Sequence, residues 1–311
     1  MRLSIDHHTI YRFTQPQGRL VQMLRLTPEN THDQTVASWR IDVDCDARLR
    51  PGRDGFGNAV TMLYAEGPVD GIEITVKGEV LTSHSDGVLH DVHETLPPAL
   101  FLRATEATAF DPAIAEFAAD AVVGARDRVG ALHRLNRALH GQFVFDAGRP
   151  EPGLTAGAAF RKDSATPRDM AQIFAVAARS LGAPARYVSG YHHNDHEVVH
   201  FPTPHGWAEA YVDGLGWVGF DPCTGMSPEE HYVRVAMALD AAGAAPVAGS
   251  RLGEGVRNST STLWCSGKTK TVSPRRRGPR LGSRLRGRTR LSRFCGMTTP
   301  AKAGAQLARW S

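Results

Sequence analysis

The sequence predicts an α+β protein, in which an all-β N-terminal domain of sandwich or barrel type precedes a core of helices packed on an antiparallel sheet. Residues 1–85 contain runs of alternating apolar and polar residues, which are typical of half-buried strands. A helical apolar pattern follows later and leads into more strand-like runs. The predicted segments are the β domain at 1–85, a linker at 86–110, the core at 111–254 and a basic tail at 255–311.

The N-terminal domain is predicted from five strand-like runs. The first run extends from Leu3 to Tyr11, and before Thr9 every second residue is followed by a polar neighbour. The other four runs lie at 19–26, 36–43, 58–65 and 71–80. Gly, Pro, Asn and Asp fill the breaks between them, as in the run DGFGN at 54–58. Short strands at this spacing favour a sandwich or a barrel.

Helical patterns begin after a proline-broken, extended stretch at 96–105. Asp111 can cap a helix that has Pro112 in its first position. A second helix is predicted from Asp127 to about His140, with a leucine-rich stripe. A short strand at 143–146 and a short helix at 154–160 complete this part of the predicted core.

The most informative segment is a helix that feeds a sheet. Its apolar residues recur at helical spacing from Met170 to Leu181, and Gly182 and Pro184 then end the helix. Strands are predicted at 185–191, 206–212, 216–222 and 232–239. The turn DGLG joins the middle two as a tight hairpin. A helix packed on an antiparallel sheet is therefore expected.

Composition limits the classes of protein to consider. The chain has 311 residues, of which 41% are apolar and 22% charged, as in globular domains. It lacks a run of 18 apolar residues, and its first residues do not resemble a secretory signal, so we expect a cytoplasmic protein that does not bind membranes. Its four cysteines have neither zinc nor disulfide spacing, and we expect no cofactor.

Charge divides the chain at Glu254, the last acidic residue. Residues 255–311 hold 14 of the 36 Lys and Arg residues and none of the 32 acidic residues, so residues 1–254 carry a net charge of −10. The basic segment is rich in Gly, Ser and Pro and has no periodic pattern, which indicates disorder or a segment read out of frame. Nucleic-acid binding through phosphate contacts is the alternative, and we expect it less.

One family resemblance rests on several motifs in the second half of the chain. The run SLGAPARYVSGY at 180–191 is followed by HGWAEAYVDGLGWVGFDPCTG at 205–225 and by HYVRVAMALD at 231–240. This pattern resembles the core of bacterial transglutaminase-like proteins. The β-rich residues 1–85 resemble the N-terminal region that accompanies this core. The resemblance implies a papain-like, transglutaminase-like fold for the predicted core.

The resemblance also implies papain-type chemistry. In this family a cysteine at the start of the core helix attacks an amide carbonyl, a histidine moves the proton and an aspartate orients that histidine. A helix N-terminus and an adjacent imidazolium both lower the pKa of a thiol. The histidine corresponds to His205 and the aspartate to Asp221. Because His205 precedes one strand and Asp221 ends its hairpin partner, we expect them to lie close together.

The cysteine of the family pattern is missing, and Pro167 stands in its place. Thr166 can cap the helix, Pro167 fits its first position and Asp169 can close a capping box. Substitute nucleophiles are few. Thr166 and Ser164 offer hydroxyls that His205 could activate, although Thr166 is better explained as a cap. Cys223 lies two residues after Asp221 and is better explained as a packing residue.

Several histidines lie between two predicted strands, and they raise the alternative of a metal site. They are His192, His193, His196 and His200, with Asp195 among them. Their spacing matches no metal-binding motif, so we expect no metal.

The prediction that results is a transglutaminase-like protein, impaired in catalysis by Pro167, that still binds a peptide or protein substrate with amide side chains. The first alternative is an active amidase, peptidase or acyl transferase that uses a hydroxyl nucleophile. The second is nucleic-acid binding through the basic tail. Whether the chain is an enzyme stays open at this point, because the nucleophile expected from the family is absent.

Overall fold

A computed structural model describes residues 1–90, 94, 96–148, 150–194 and 203–268. The N-terminal part consists of four antiparallel strands. They are β1 (Arg2–Leu24), β2 (Gln34–Val43), β3 (Ala47–Arg53) and β4 (Ala59–Thr82). Two pairs of predicted strands are thus continuous, since β1 covers the runs from residues 3 and 19 and β4 covers those from 58 and 71. Strand β3 was not predicted.

The long strands β1 and β4 form two halves of one sheet, with β12 and β2 beside one half and β11 and β3 beside the other. The register between β1 and β4 shifts between Arg12 and Arg19. At this irregularity a Cβ on Gly67 would clash with the carbonyl oxygen of Gln17, so only glycine fits there. Apolar residues of both halves, including Leu20 and Ile74, form one core. This sandwich-like arrangement confirms the predicted all-β domain.

Two C-terminal strands complete the N-terminal sheet. They are β11 (Val247–Leu252) and β12 (Arg257–Lys268), and both pair with β1 in antiparallel register. The predicted segment boundary at residue 254 is therefore wrong, because 257–268 is a strand and 247–252 belongs to the sheet of the first domain. These strands pair with β1, which lies about 250 residues away in the chain. A local sequence pattern cannot predict a contact at that separation.

The predicted linker at 86–110 is only partly extended. A 3-10 helix covers Pro98–Leu102, and within it Phe101 is completely buried. The Phe101 ring meets the Trp217 ring edge-on, with their centroids 5.1 Å apart. The segment therefore packs on the core sheet, because Phe101 brings an apolar side chain to it.

Four helices and two short strands form the first half of the core. The helices are α1 (Pro112–Ala121), α2 (Arg128–Gln142), α3 (Ala156–Phe160) and α4 (Pro167–Ser180), and the strands are β5 (Val144–Phe145) and β6 (Ser164–Ala165). As predicted, Asp111 caps α1 by accepting hydrogen bonds from backbone N–H groups. Asp127, the predicted start of the second helix, caps α2 in the same way. Helix α4 is buried on nearly all sides, since the other three helices surround it.

The second half of the core is an antiparallel sheet in the order β10-β7-β8-β9. The strands are β7 (Ala185–His192), β8 (His205–Val212), β9 (Gly216–Phe220) and β10 (Tyr232–Ala238). Helix α4 packs across β7 and β8, and apolar side chains from both share one core. At the far edge, Tyr191 and Val233 pack against Leu3 and Leu263 of the N-terminal sheet. The predicted helix-on-sheet core is confirmed.

Two predicted features fall outside the described residues. Asp195, His196 and His200 of the histidine-rich segment lie there, as does the tail from residue 269 onward. Among the helices that the structure describes, none has the length and apolar character needed to cross a membrane.

Candidate active site

The site is built around the first turn of α4. Thr166 is the N-cap of this helix, Pro167 occupies its first position, and Asp169 closes a capping box with Thr166. Proline is favoured here because its fixed φ suits the first turn and a backbone N–H at this position has no partner within the helix. The local sequence thus forms a stable helix start, and it leaves Pro167 with neither a thiol nor an N–H donor.

The β8–β9 hairpin brings His205 and Asp221 together. His205 is the first residue of β8, and Asp221 directly follows the last residue of β9. The tight turn between the strands contains Gly214 at φ +79° and Gly216 at φ +96°, a backbone conformation that glycine adopts most easily. The Nε2 atom of His205 lies 2.7 Å from Oδ2 of Asp221, within hydrogen-bonding distance.

Asp221 is completely buried and accepts three hydrogen bonds. Besides His205, the hydroxyl of Tyr232 donates to Oδ2 at 2.7 Å, and the backbone N–H of Cys223 donates to Oδ1 at 2.9 Å. Burial by itself would raise the pKa of Asp221, but the charges and hydrogen bonds of its neighbours, chiefly His205, lower it to about 2. Asp221 is therefore ionised at neutral pH and can orient the imidazole.

Two further residues lie against the pair formed by His205 and Asp221, and neither was predicted to lie there. Tyr232 begins β10 and hydrogen-bonds Asp221, while the His192 ring stacks on the Tyr232 ring with centroids 4.2 Å apart. Burial, with a smaller effect of the His205 charge, lowers the pKa of His192 to about 3, so His192 is neutral. The pairing of Tyr232 with His192 across β10 and β7 creates this contact, and only the strand register could have revealed it.

Of the cysteines that the structure describes, Cys223 lies in this cluster. Its Sγ lies 3.6 Å from Sδ of Met170, in the first turn of α4. One ligand-type atom each of His205, Asp221 and Cys223 lies within 4.8 Å of the others. These contacts join the hairpin to the start of α4. Burial first, and then the Asp221 carboxylate, raise the pKa of Cys223 well above its ordinary value, so the thiol stays protonated.

The hydroxyls considered as substitute nucleophiles are otherwise engaged or exposed. The Thr166 hydroxyl donates to Oδ2 of Asp169 at 2.6 Å, within the capping box. Asp169 is itself held by the Arg168 guanidinium, 2.7 Å away. Ser164 is exposed and lies in β6, before the helix begins. Thr166 thus has the capping role that the sequence predicts.

Metal ligation has two candidate clusters within the described ranges. The first is the group formed by His205, Asp221 and Cys223, and the second is the more exposed group of His84, Glu229 and Glu230. In the first cluster the Asp221 oxygens already accept hydrogen bonds from His205, Tyr232 and Cys223. In the second, His84 contacts Glu229 at 3.0 Å. His192 and His193 belong to neither group.

A cleft of about 610 Å³ runs beside this cluster. Arg168 and Pro204, the chain neighbours of Pro167 and His205, both line it. So does Tyr187, whose hydroxyl would clash with a Cβ added to Gly206, the residue after His205. A volume of this size is within the range of ligand-binding clefts. The cleft therefore reaches both the start of α4 and the start of β8.

The arrangement has the parts of a proton-transfer dyad. With Nε2 of His205 bound to Asp221, the imidazole is held in one orientation and Nδ1 is left for another group. Nδ1 makes no hydrogen bond to any residue that the structure describes. Such a pair can accept and return a proton, but covalent chemistry also needs a nucleophile with a suitable pKa. Pro167 has no side-chain nucleophile, the Thr166 hydroxyl donates to Asp169, and burial keeps the Cys223 thiol protonated by raising its pKa.

Two models of known families match segments of this chain. Residues 3–81 match the model of the bacterial transglutaminase-like N-terminal region. Residues 115–222 match the model of the transglutaminase-like superfamily core. The two matches cover the N-terminal β domain and the core as far as the residue after Asp221.

Similar proteins extend over most of the chain. An uncharacterized protein of Mycobacterium leprae, ML0607, is 26% identical over 268 residues, which are 82% of this chain and 94% of the relative. Rv2569c of Mycobacterium tuberculosis, also uncharacterized, is 24% identical over 272 residues, which are 80% of this chain and 87% of the relative. A candidate cysteine protease from Cytophaga hutchinsonii has the same fold, with a TM-score of 0.69, 18% identity, and coverage of 88% of this chain and 93% of that chain.

Proposed function

Because the chain belongs to the transglutaminase-like superfamily, we propose that it is a member impaired in catalysis that binds an extended peptide or an amide substrate. Pro167 occupies the position of the family's cysteine, at the start of the buried helix α4. In serine proteases, loss of the nucleophile lowers kcat about a million-fold. A loss of this size would leave turnover far below ordinary enzyme rates.

The observation that carries the proposal is the hydrogen bond between His205 and Asp221 beside a helix start that lacks a thiol. The dyad and the adjacent cleft of about 610 Å³ are formed, although the residue that they would activate is absent. Residues that hold a peptide in such a cleft need not include the nucleophile, so binding can persist without turnover.

The alternative with a hydroxyl nucleophile has weaker support. It requires His205 to accept a proton from Thr166, yet the Thr166 hydroxyl donates to Asp169 and caps α4. We therefore assign Thr166 a structural role. A covalent acyl adduct on Thr166 or Ser164, located by mass spectrometry, would favour this alternative instead.

Activity assays on four forms of the full chain test the proposal. The parent, His205→Ala, Pro167→Cys and the Pro167→Cys/His205→Ala double variant are compared for ammonia release from a glutamine peptide and for peptide cleavage. We expect the parent to match His205→Ala at background, and Pro167→Cys to gain a turnover that the double variant loses. Turnover by the parent at ordinary enzyme rates of about 1 to 1,000 per second would refute the impairment.

A further inference from the structure

The cleft beside His205 has walls from both domains. Its lining includes Thr9 and Tyr11 of β1 and Arg257 of β12, which belong to the N-terminal sheet. It also includes Arg168 at the start of α4, Tyr187 of β7, and Pro204, the chain neighbour of His205, which belong to the core. The N-terminal sheet is thus part of the cleft, and so is the C-terminal strand that completes that sheet.

The charge of the cleft is opposite to that of the surrounding chain. Its lining, among the residues that the structure describes, includes two arginines and neither Asp nor Glu, although residues 1–254 carry a net charge of −10. His7, which also lines the cleft, has its pKa lowered to about 4, chiefly by burial, and is neutral at pH 7. The cationic character of the cleft therefore comes from Arg168 and Arg257.

The two arginines differ in whether a carboxylate already neutralises them. The Arg168 guanidinium lies 2.7 Å from Asp169 and also donates to the backbone oxygen of Glu151. Arg257 is exposed, and its guanidinium lies 5.1 Å from the centre of the Tyr11 ring. It makes no ion pair with any carboxylate in the described part of the chain. Arg257 is thus a cation held against an aromatic wall of the cleft, with its donors available to a ligand.

We propose that the cleft takes an extended peptide with an acidic side chain, and that Arg257 binds its carboxylate. This inference rests on the proposed function, because it names the substrate class of the same site. A guanidinium recognises a carboxylate through two parallel N–H donors. The described lining residues include neither Asp nor Glu, so they do not repel an acidic peptide as the net negative charge of residues 1–254 would. Because the ion pair is exposed, it should change the dissociation constant by only about two- to fivefold, and less at high salt.

The test uses three octapeptide mixtures that carry an uncharged fluorophore and differ only at two central positions, which hold Glu, Gln or Lys. Fluorescence anisotropy measures their binding to the full-length parent, to Arg257→Gln and to Arg12→Gln. The matched control Arg12 is exposed, lies beside Tyr11 on β1 and does not line the cleft. The basic segment from residue 269 onward is the same in all three proteins, so differences among them isolate Arg257.

We expect the parent to bind the Glu mixture about two- to fivefold more tightly than the Gln mixture, and the Lys mixture most weakly. Arg257→Gln should bring the Glu-to-Gln ratio close to one, and Arg12→Gln should keep the ratio of the parent. A fourth protein, Arg257→Lys, measured in the same way, should restore part of the ratio that Arg257→Gln loses. Thermal melting monitored by circular dichroism checks that each variant is folded.

The binding results distinguish a failure of the acidic-peptide inference from a failure of the proposed function. If the parent binds the three mixtures equally, or if Arg257→Gln keeps the preference for Glu, the acidic-peptide inference is wrong while peptide binding stands. If the mixtures do not bind at all, the proposed peptide-binding function fails as well.

Discussion

Nε2 of His205 and Oδ2 of Asp221 lie 2.7 Å apart at the open end of the β8–β9 hairpin, with the carboxylate completely buried. The same carboxylate accepts a hydrogen bond from Tyr232, and the next residues of the chain bring Cys223 against Met170 of α4. The orientation of the imidazole is therefore fixed by residues of three strands and one helix. An arrangement held by so many contacts does not depend on the residue at position 167.

The first prediction concerns the thiol of the Pro167→Cys variant. A helix N-terminus and a nearby imidazolium both lower a thiol pKa, so the introduced thiol should ionise well below the ordinary value of about 8.5. The pH dependence of its alkylation by iodoacetamide, followed by peptide mapping, measures this pKa. Adding His205→Ala should return the value towards 8.5. An unchanged pKa in the double variant would mean that His205 does not reach the start of α4.

The second prediction separates capping from catalysis at Thr166. Thr166→Ala removes the side-chain oxygen of the capping box and should lower the free energy of unfolding by about 1 kcal/mol. Thr166→Ser keeps that oxygen and should be close to the parent. Urea denaturation measures both. Peptide binding should be unaffected by either change, and a loss of turnover specific to Thr166→Ala would instead favour a hydroxyl nucleophile.

The third prediction compares two thiols of the native chain. The pKa of Cys223 is raised well above the ordinary value by burial and by Asp221, whereas that of Cys45 is raised by weaker burial and by Asp44 and Asp46. Iodoacetamide at pH 8 should therefore label Cys45 faster than Cys223, as peptide mapping can show, and unfolding in urea should remove the difference. Faster labelling of Cys223 in the native protein would identify it as an activated thiol.

The fourth prediction concerns a buried ionic network on the core sheet. Glu209 accepts hydrogen bonds from Arg186 at 2.6 Å and from Arg234 at 2.7 Å, and the Arg186 guanidinium lies 3.8 Å from the centre of a Trp217 ring. Glu209→Gln removes the carboxylate that pairs with the half-buried Arg234, and it leaves the buried Arg186 paired with Glu94 alone. It should therefore lower the free energy of unfolding at pH 7 by about 3–5 kcal/mol.

The same variant has a predicted pH dependence. Burial raises the pKa of Glu209, but Arg234 and Arg186 outweigh it and lower the pKa to about 2. The stabilisation is therefore complete above the unfolded pKa of about 4.3 and is lost as the pH falls through 2. Urea denaturation from pH 7 to 2 should show the parent converging on Glu209→Gln. Glu79→Gln, an exposed carboxylate paired with Arg2, is the control and should change little. A constant gap at all pH values would contradict the assignment.

The fifth prediction concerns the end of the fold. Truncation after Glu254 removes β12 and uncovers the edge of β1, whereas truncation after Lys270 keeps β12. Leu263 of β12 is 2% exposed, and the loss of its burial alone costs about 1.5–3 kcal/mol. The first truncation should lower the midpoint of thermal unfolding by several degrees, and the second should leave it nearly unchanged. Equal midpoints would indicate that β12 adds nothing to stability.

The sequence by itself determined the elements that depend on near neighbours. The cap formed by Thr166 and Asp169 and the hairpin that joins His205 to Asp221 were predicted correctly. That Pro167 stands where the family has its cysteine stays a prediction from the resemblance. Capping and tight turns are contacts between residues only a few positions apart, so they leave a signature in a short stretch of sequence.

Tertiary structure alone decided which distant residues meet. The pairing of β10 with β7 sets Tyr232 on Asp221, and the pairing of β12 with β1 places Arg257 on Tyr11 in the wall of the cleft. Residues 257–268 form a strand, but they begin a basic stretch without acidic residues, and for that reason no strand was predicted there. The physical reason is that a strand is stabilised by hydrogen bonds and side-chain contacts with its partner strand, and here that partner is about 250 residues away.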